Sequence, residues 1–195
     1  VGVQSIRIGD SEFRLAGIAA PEAEQSCGDG GRRWRCGEDA RRALTRTAAG
    51  KTLTCHPRGE DEDGRKLARC LSGTTDIAEA LVKSGHVWAD RDDSLGYRTQ
   101  EEIPRAAKTG IWKAISLPPW QYRAKLWEDA KKTAPDGCPI KGEGSGTDRI
   151  FHQPWDAGYQ RVRIGKSELA RGSKQWFCTE RAAREAGYQP AVGRR

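Results

Sequence analysis

Arg14-Leu15-Ala16-Gly17-Ile18-Ala19-Ala20-Pro21-Glu22 places one cation and one carboxylate at opposite ends of an apolar run. The pattern makes Leu15, Ile18 and Pro21 buried or structural and lets Arg14 and Glu22 point into a common cleft. An Asp63-Gly64-Arg65 turn further along adds a second cation. Arg14, Glu22 and Arg65 together suit phosphodiester chemistry, because guanidinium forks match phosphate oxygens and a carboxylate can take a proton from water. The plainer reading makes Arg14 and Glu22 a structural ion pair and Arg65 an ordinary turn residue. The residues alone leave both open.

Upstream, Val3 to Ile8 alternates with polar positions and Gly9-Asp10 follows, which predicts a hairpin into 12–19. Residues 23–36 are too polar to form an element and read as a loop. From Gly37 to Ala49, Ala40, Ala43, Leu44 and Thr47 share one helical face, and Gly50 stands in the stop position. Leu53–His56 and Leu67–Leu71 read as strands joined by an acidic loop, Pro57–Lys66. Thr75 is the expected cap of a helix through Lys83, ended by Gly85. A short strand, His86–Ala89, and a helix over Tyr97–Thr109 interrupted at Pro104 complete the unit. Five strands with a helix between the third and fourth give an α+β chain built on a five-stranded Greek-key barrel of the OB type.

Four motifs recur in a fixed order: Arg14-Leu15-x-Gly17-Ile18-x-Ala20-Pro21-Glu22, Asp63-Gly64-Arg65-x-Leu67-Ala68, Ala80-Leu81-Val82-x-x-Gly85, and Gly110-Ile111-Trp112. In order and spacing they resemble the staphylococcal nuclease (thermonuclease) family over roughly residues 1–117. The resemblance implies that Glu22 acts as general base, that Arg14 and Arg65 clamp the phosphate, and that aspartates hold a calcium ion. This chain departs at the metal positions: Ala19 stands where family members carry Asp, and Gln4 falls on the family's other metal aspartate. Calcium needs several charged oxygen ligands, so the resemblance here implies no calcium site and no other cofactor. A further departure is Asp63, where the family usually has Tyr. With Glu60, Asp61 and Glu62 it forms an acidic run that reads as a solvated loop.

Pro118-Pro119-Trp120 marks a boundary, with a connecting helix over 118–132, expected to pack on the barrel, and a small module over 133–195. In the module, Cys138–Gly142, Arg149–His152 and Gln175–Glu180 read as strands, followed by a helix capped by Thr179 and stopped by Gly187. It is distantly similar to the metal-binding module of the Ada DNA-repair protein. Only Cys138, His152 and Cys178 offer ligands, and Pro190-Ala191-Val192-Gly193-Arg194 replaces that module's Pro-Cys-x-x-Cys.

The six cysteines fall as Cys27/Cys36, Cys55/Cys70 and Cys138/Cys178, each pair within one expected unit. Three disulfides are the preferred reading, which points to a secreted or periplasmic bacterial protein. Zinc or reduced thiols are the alternatives, and no CxxC spacing favours zinc. No apolar run reaches the length of a membrane span, and the chain reads as a mature or trimmed form opening in strand-like sequence at Val1. The net charge is +7. Residues 1–117 hold 19 Lys and Arg against 18 Asp and Glu, leaving 15 against 9 for the remainder, so the excess is C-terminal. A basic C-terminal part attracts polyanions, DNA or RNA among them, without reading their sequence.

Three functions remain. The preferred one is a degenerate family member that keeps Arg14, Glu22 and Arg65 and binds polyanions. Loss of charged ligands around the phosphate costs on the order of 2.7–4 kcal/mol of transition-state stabilisation, as for a single oxyanion donor. The second is an active, secreted, sugar-nonspecific endonuclease. The third is an envelope protein whose barrel contacts protein or polysaccharide, with Trp34, Trp88, Trp155 and Trp176 as stacking surfaces.

Overall fold

Gly9-Asp10 makes the first hairpin: β1 (Ser5–Ile8) pairs antiparallel with β2 (Ser11–Leu15), and Ile8 lies opposite Ser11. The structure is a computed structural model describing residues 2–61, 64–92, 95–165 and 174–191. Glu62 and Asp63 of the acidic run, and Val192 to Arg194 near the C-terminus, lie outside the described residues. The chain divides into two units, Val1–Pro119 and Trp120–Arg195.

In the first unit the chain turns after Leu15 into β3 (Ile18–Ala19). Helix α1 (Cys36–Ala48) buries Ala40, Ala43 and Leu44, and Gly50 follows its end. Next come β4 (Thr54–Glu60) and β5 (Lys66–Ser72). The expected loop over Pro57–Lys66 is shorter, because β4 continues through Pro57. Among the described residues strand β4 has β5 as its one partner, and its register shifts between Pro57 and Glu60. An edge strand with a bulge tolerates a residue that lacks an N–H.

β6 (Thr75–Asp76) leads into α2 (Ile77–Lys83). The cap is Asp76, whose carboxylate accepts from the backbone N–H of Ala78 at 3.0 Å and Glu79 at 3.2 Å. Thr75, the residue expected there, is drawn into the sheet opposite Ser72. β7 (Trp88–Ala89) pairs with β3, and α3 (Arg98–Ala106) runs through Pro104.

The strands form a sheet of order β1-β2-β5-β4 with β6 on β5, plus the β3-β7 ribbon. This mixed α+β order is consistent with the OB-type nuclease fold, although the pairing closes no ring among the described residues. Leu15, Ile18, Leu44, Ala68, Ile77 and Leu81 meet in its core.

The second unit opens with α4, whose residues are Pro119–Lys131. β8 (Ile140–Glu143), β9 (Ile150–His152), β10 (Lys174–Phe177) and β11 (Gln189–Pro190) form a sheet of order β10-β8-β9-β11. Between β10 and β11 lies α5 (Glu180–Glu185), capped by the Thr179 hydroxyl, which accepts from Ala182 N–H at 3.1 Å. Ile140, Phe151, Phe177, Ala183 and Tyr188 close the core.

All three cysteine pairs are disulfides, Cys27–Cys36, Cys55–Cys70 and Cys138–Cys178, each inside one unit. Among the described residues no helix is long and apolar enough to cross a membrane.

Candidate functional site

Parallel pairing of β2 with β5 sets Arg14 opposite Leu67, two residues beyond Arg65. Arg65 lies just before β5 begins at Lys66, so the pairing brings the end of the β4–β5 turn to the Arg14 end of β2. Both meet Asp61. Arg65 Nε donates to Asp61 Oδ2 at 2.6 Å, Arg65 N–H to Oδ1 at 2.9 Å, and Arg14 Nε lies 3.8 Å from Oδ2. The backbone closes the same turn, with Asp61 N–H donating to Arg65 O at 3.0 Å.

Asp61 was expected in a solvated acidic loop, yet its side chain is only 17% exposed. Two cations flank it, Arg14 and Arg65. Neither spacing nor charge distinguishes Asp61 from its acidic neighbours. It turns inward because the β4–β5 turn folds it back on Arg65.

Glu22 is placed by other bonds. Its N–H donates to Gln25 Oε1 at 3.0 Å, its carbonyl accepts from Gln25 N–H at 2.9 Å, and Gln25 Nε2 donates to Leu117 O at 2.7 Å. Gln25 is fully buried. Helix α1 starts against the same carbonyls: a Cβ on Gly37 would fall 1.9 Å from Glu22 O and 2.7 Å from Ala23 O. Only glycine allows that approach. Gln25 and Gly37 therefore fix the backbone that carries Glu22, and no local pattern marks either role.

At the two positions where calcium ligands were expected to be missing, the side chains have other work. Gln4 is buried, and its Nε2 donates to Leu15 O at 2.8 Å and Ile18 O at 2.6 Å, while its Oε1 accepts from Ala20 N–H at 3.3 Å. The amide thus fastens the turn between β2 and β3. Ala19 presents a methyl group packed on the cluster of Cys27, Cys36, Trp88 and Ile111. Among the described residues no group of three or more His, Cys, Asp or Glu side chains is arranged to hold a metal ion. The donor set at positions 4 and 19 therefore does not suit calcium, which takes charged oxygen ligands.

The other candidates fall elsewhere. Trp88 is buried, with its ring 6.4 Å from Trp112, and Trp34 lies under the Lys113 ammonium at 3.9 Å. Trp155 packs 6.2 Å from Trp127, and Lys141 sits 5.3 Å from the Trp176 ring. In the second unit Cys138 and Cys178 are bonded to each other, which removes two of three potential ligands. His152 pairs with Glu143 Oε1 through Nε2 at 3.2 Å, and its buried Nδ1 has no partner. Burial pushes the His152 pKa down, against the opposing pull of Glu143. A cavity of about 440 Å³ lies between β1 and the end of α1, and none of Arg14, Glu22 or Arg65 lines it.

With this geometry in place, comparison with known proteins is decisive for the first unit. A family profile described as "Staphylococcal nuclease homologue" matches residues 12–114. The chain belongs to the staphylococcal nuclease family. Its similar relatives include "Probable staphylococcal-like nuclease CAN4" of Oryza sativa subsp. japonica, 30% identical over 57% of this chain and 21% of the relative. Another is "Uncharacterized 38.1 kDa protein" of Capnoides sempervirens, 32% identical over 57% of this chain and 31% of the relative. The chain thus spans less than a third of the curated relatives it matches. The family match includes Arg14, Glu22 and Arg65 and stops before the second unit.

Proposed function

We propose that this chain is a nuclease-family protein that binds nucleic-acid phosphate at Arg14 and Arg65 but has lost calcium-dependent cleavage. The observation that carries it is the contrast between the two halves of the site. Both phosphate-binding guanidiniums converge on one carboxylate, Asp61. At the metal positions, by contrast, Gln4 is committed to three backbone groups and Ala19 offers no oxygen. A phosphate entering the cleft takes the place of Asp61 on the two arginines, an exchange of one anion for another that keeps both cations paired. The three disulfides support a secreted or periplasmic setting, and the basic second unit supports added, sequence-independent attraction to the same polyanion.

A second reading, an active sugar-nonspecific endonuclease, is favoured by the survival of Glu22 on a rigid backbone between Gln25 and Gly37. In that reading Glu22 accepts the proton of an attacking water while the arginines offset charge on the phosphoryl oxygens. The polysaccharide or protein-contact reading has weaker support, since Trp88 is buried and Trp34 is covered by Lys113.

Incubation with single-stranded DNA and RNA, with calcium, magnesium or manganese, separates these readings when a Glu22→Gln variant runs beside the wild type. The expected result is salt-dependent binding with no cleavage that distinguishes the two proteins. Calcium-dependent cleavage abolished by Glu22→Gln would overturn the degenerate reading.

A further inference from the structure

The loop between Cys27 and Cys36 is closed twice at its base. A disulfide joins its ends, and Cys27 and Trp34 exchange backbone hydrogen bonds at 2.9 and 3.1 Å. Its interior is filled by its own residues. A Cβ on Gly28, which lies at φ +82°, would fall 2.4 Å from Arg32 O and 2.7 Å from the Trp34 ring. From outside, Lys113 covers the Trp34 ring and Gly28 N–H donates to Ile115 O at 3.1 Å. The tip is a 3₁₀ turn, Gly30–Arg32.

Three arginines decorate this loop, and they divide by role. Arg35 is held by Glu24 at 2.9 Å and Glu38 at 3.7 Å. Arg32 and Arg33 are exposed, and among the described residues neither side chain has an ion pair or hydrogen bond. Two adjacent like charges on a short rigid loop repel each other and gain nothing within the fold. An anion bridging them relieves that repulsion.

The loop also stands beside the site. Its last cysteine precedes Gly37, which touches the Glu22 and Ala23 carbonyls. Arg33 is four residues from Gly37, so the two Cα atoms lie within about 14 Å even for a fully extended chain. A polynucleotide engaged at Glu22 therefore has its neighbouring backbone within reach of the loop.

We infer that the Cys27–Cys36 loop is a preformed second grip for polynucleotide backbone, with Arg32 and Arg33 each neutralising one phosphate outside the Arg14/Arg65 cleft. This rests on the nucleic-acid reading of the cleft and adds to it a second contact on the same strand. Because the disulfide and the Trp34 brace hold the loop in place before binding, little ordering entropy is lost when the strand arrives.

The test is a fluorescence-anisotropy titration of a labelled oligothymidylate across salt concentrations, with the wild type, Arg32→Gln/Arg33→Gln and Arg14→Gln/Arg65→Gln. For single strands each neutralised phosphate contributes about 0.7 to the slope of log affinity against log salt, so the loop variant is expected to lose about 1.4 from that slope. Its affinity near 0.1 M salt is expected to fall roughly tenfold. Arg32→Lys/Arg33→Lys should keep most of the slope, and both loop variants should melt with the wild type, since the loop arginines hold nothing in the fold. A wild type that binds and a loop variant with an unchanged slope overturn the grip and leave the cleft intact. A loop variant that loses binding while the Arg14/Arg65 variant keeps it supports the grip and overturns the cleft. A wild type without affinity at low salt overturns both.

Discussion

Two aspartate–arginine clusters lie on the sheet of the first unit, built from the same groups and put to opposite uses. Asp76 is buried, its side chain 2% exposed, and takes Arg69 Nε at 2.6 Å, the Tyr97 hydroxyl at 2.6 Å and two helix N–H groups. Burial, with Asp76 as neighbour, raises the Tyr97 pKa, and the hydrogen bond that Arg69 donates to Asp76 raises that of Arg69. Asp61 sits at the mouth of the cleft, where its partner Arg65 is 49% exposed. Both oxygens of Asp76 are enclosed by four donors, two of them N–H groups of the helix it caps, although Arg69 itself is 40% exposed. Asp61 is held by one backbone N–H and by two arginine side chains, and its own carboxylate is 17% exposed against 2% for Asp76. Exposure of the carboxylate, and not of its arginine partners, separates a structural ion pair from one that the proposed phosphate exchange can open.

The strongest way to break this contrast is at Asp76. Asp76→Ala leaves Arg69, the Tyr97 hydroxyl and two helix donors without their acceptor, and is expected to cost about 3–5 kcal/mol. Chemical denaturation of the first unit measures it. A loss below about 1 kcal/mol would mean that the buried cluster is no more committed than the exposed one.

Gln4→Ala comes next, at about 2–3 kcal/mol, because it strips partners from Leu15 O, Ile18 O and Ala20 N inside the fold. The same denaturation series detects it. A neutral result would leave positions 4 and 19 free to regain carboxylates and weaken the argument against a metal.

Asp61→Asn sharpens the contrast in the other direction. It keeps an acceptor for Arg65 N–H but removes the charge that competes with phosphate. Affinity for an oligonucleotide is expected to rise about tenfold at low salt, with a stability change within about 1 kcal/mol. Anisotropy titration reads the first and thermal melting the second. Weaker binding would show that Asp61 organises the arginines more than it blocks them.

The smallest effect concerns the second unit. Burial lowers the His152 pKa, Glu143 raises it, and Arg161 and Lys141 lower it further. A histidine whose folded pKa lies below its unfolded value stabilises the fold above the unfolded value, about 6.5. That contribution fades as pH falls through the folded value. The midpoint of the second unit's unfolding should drop between pH 7 and pH 5, and His152→Gln should flatten the dependence. A midpoint that rises on acidification would contradict it.

Much of this was legible in the chain because local chemistry decided it. Gly9-Asp10, Gly50, Thr179 and Gly187 stand where turns, stops and caps need them, and the arginines of the site lie in motifs tied to strands. The positions misread were decided at a distance. Thr75 loses the cap to Asp76 because the helix starts one residue later, at Ile77, where the Asp76 carboxylate reaches the Ala78 and Glu79 N–H groups. The loop after Pro57 shortens because β4 is an edge strand, where proline is tolerated. Asp61 and Gln4 look unremarkable in one dimension, since the groups that employ them lie from 4 positions away, as Arg65 does from Asp61, to 47, as Arg14 does.

The Cys55–Cys70 crosslink joins directly opposed residues of β4 and β5, with Cys55 five residues before Glu60. Strands slip by whole residues, and each slip presents the opposite set of side chains. A covalent tie between fixed partners removes that freedom from the β4–β5 pair. It acts as a frame marker for the pair: the pairing behind the bulge at Pro57–Glu60 starts from one fixed count.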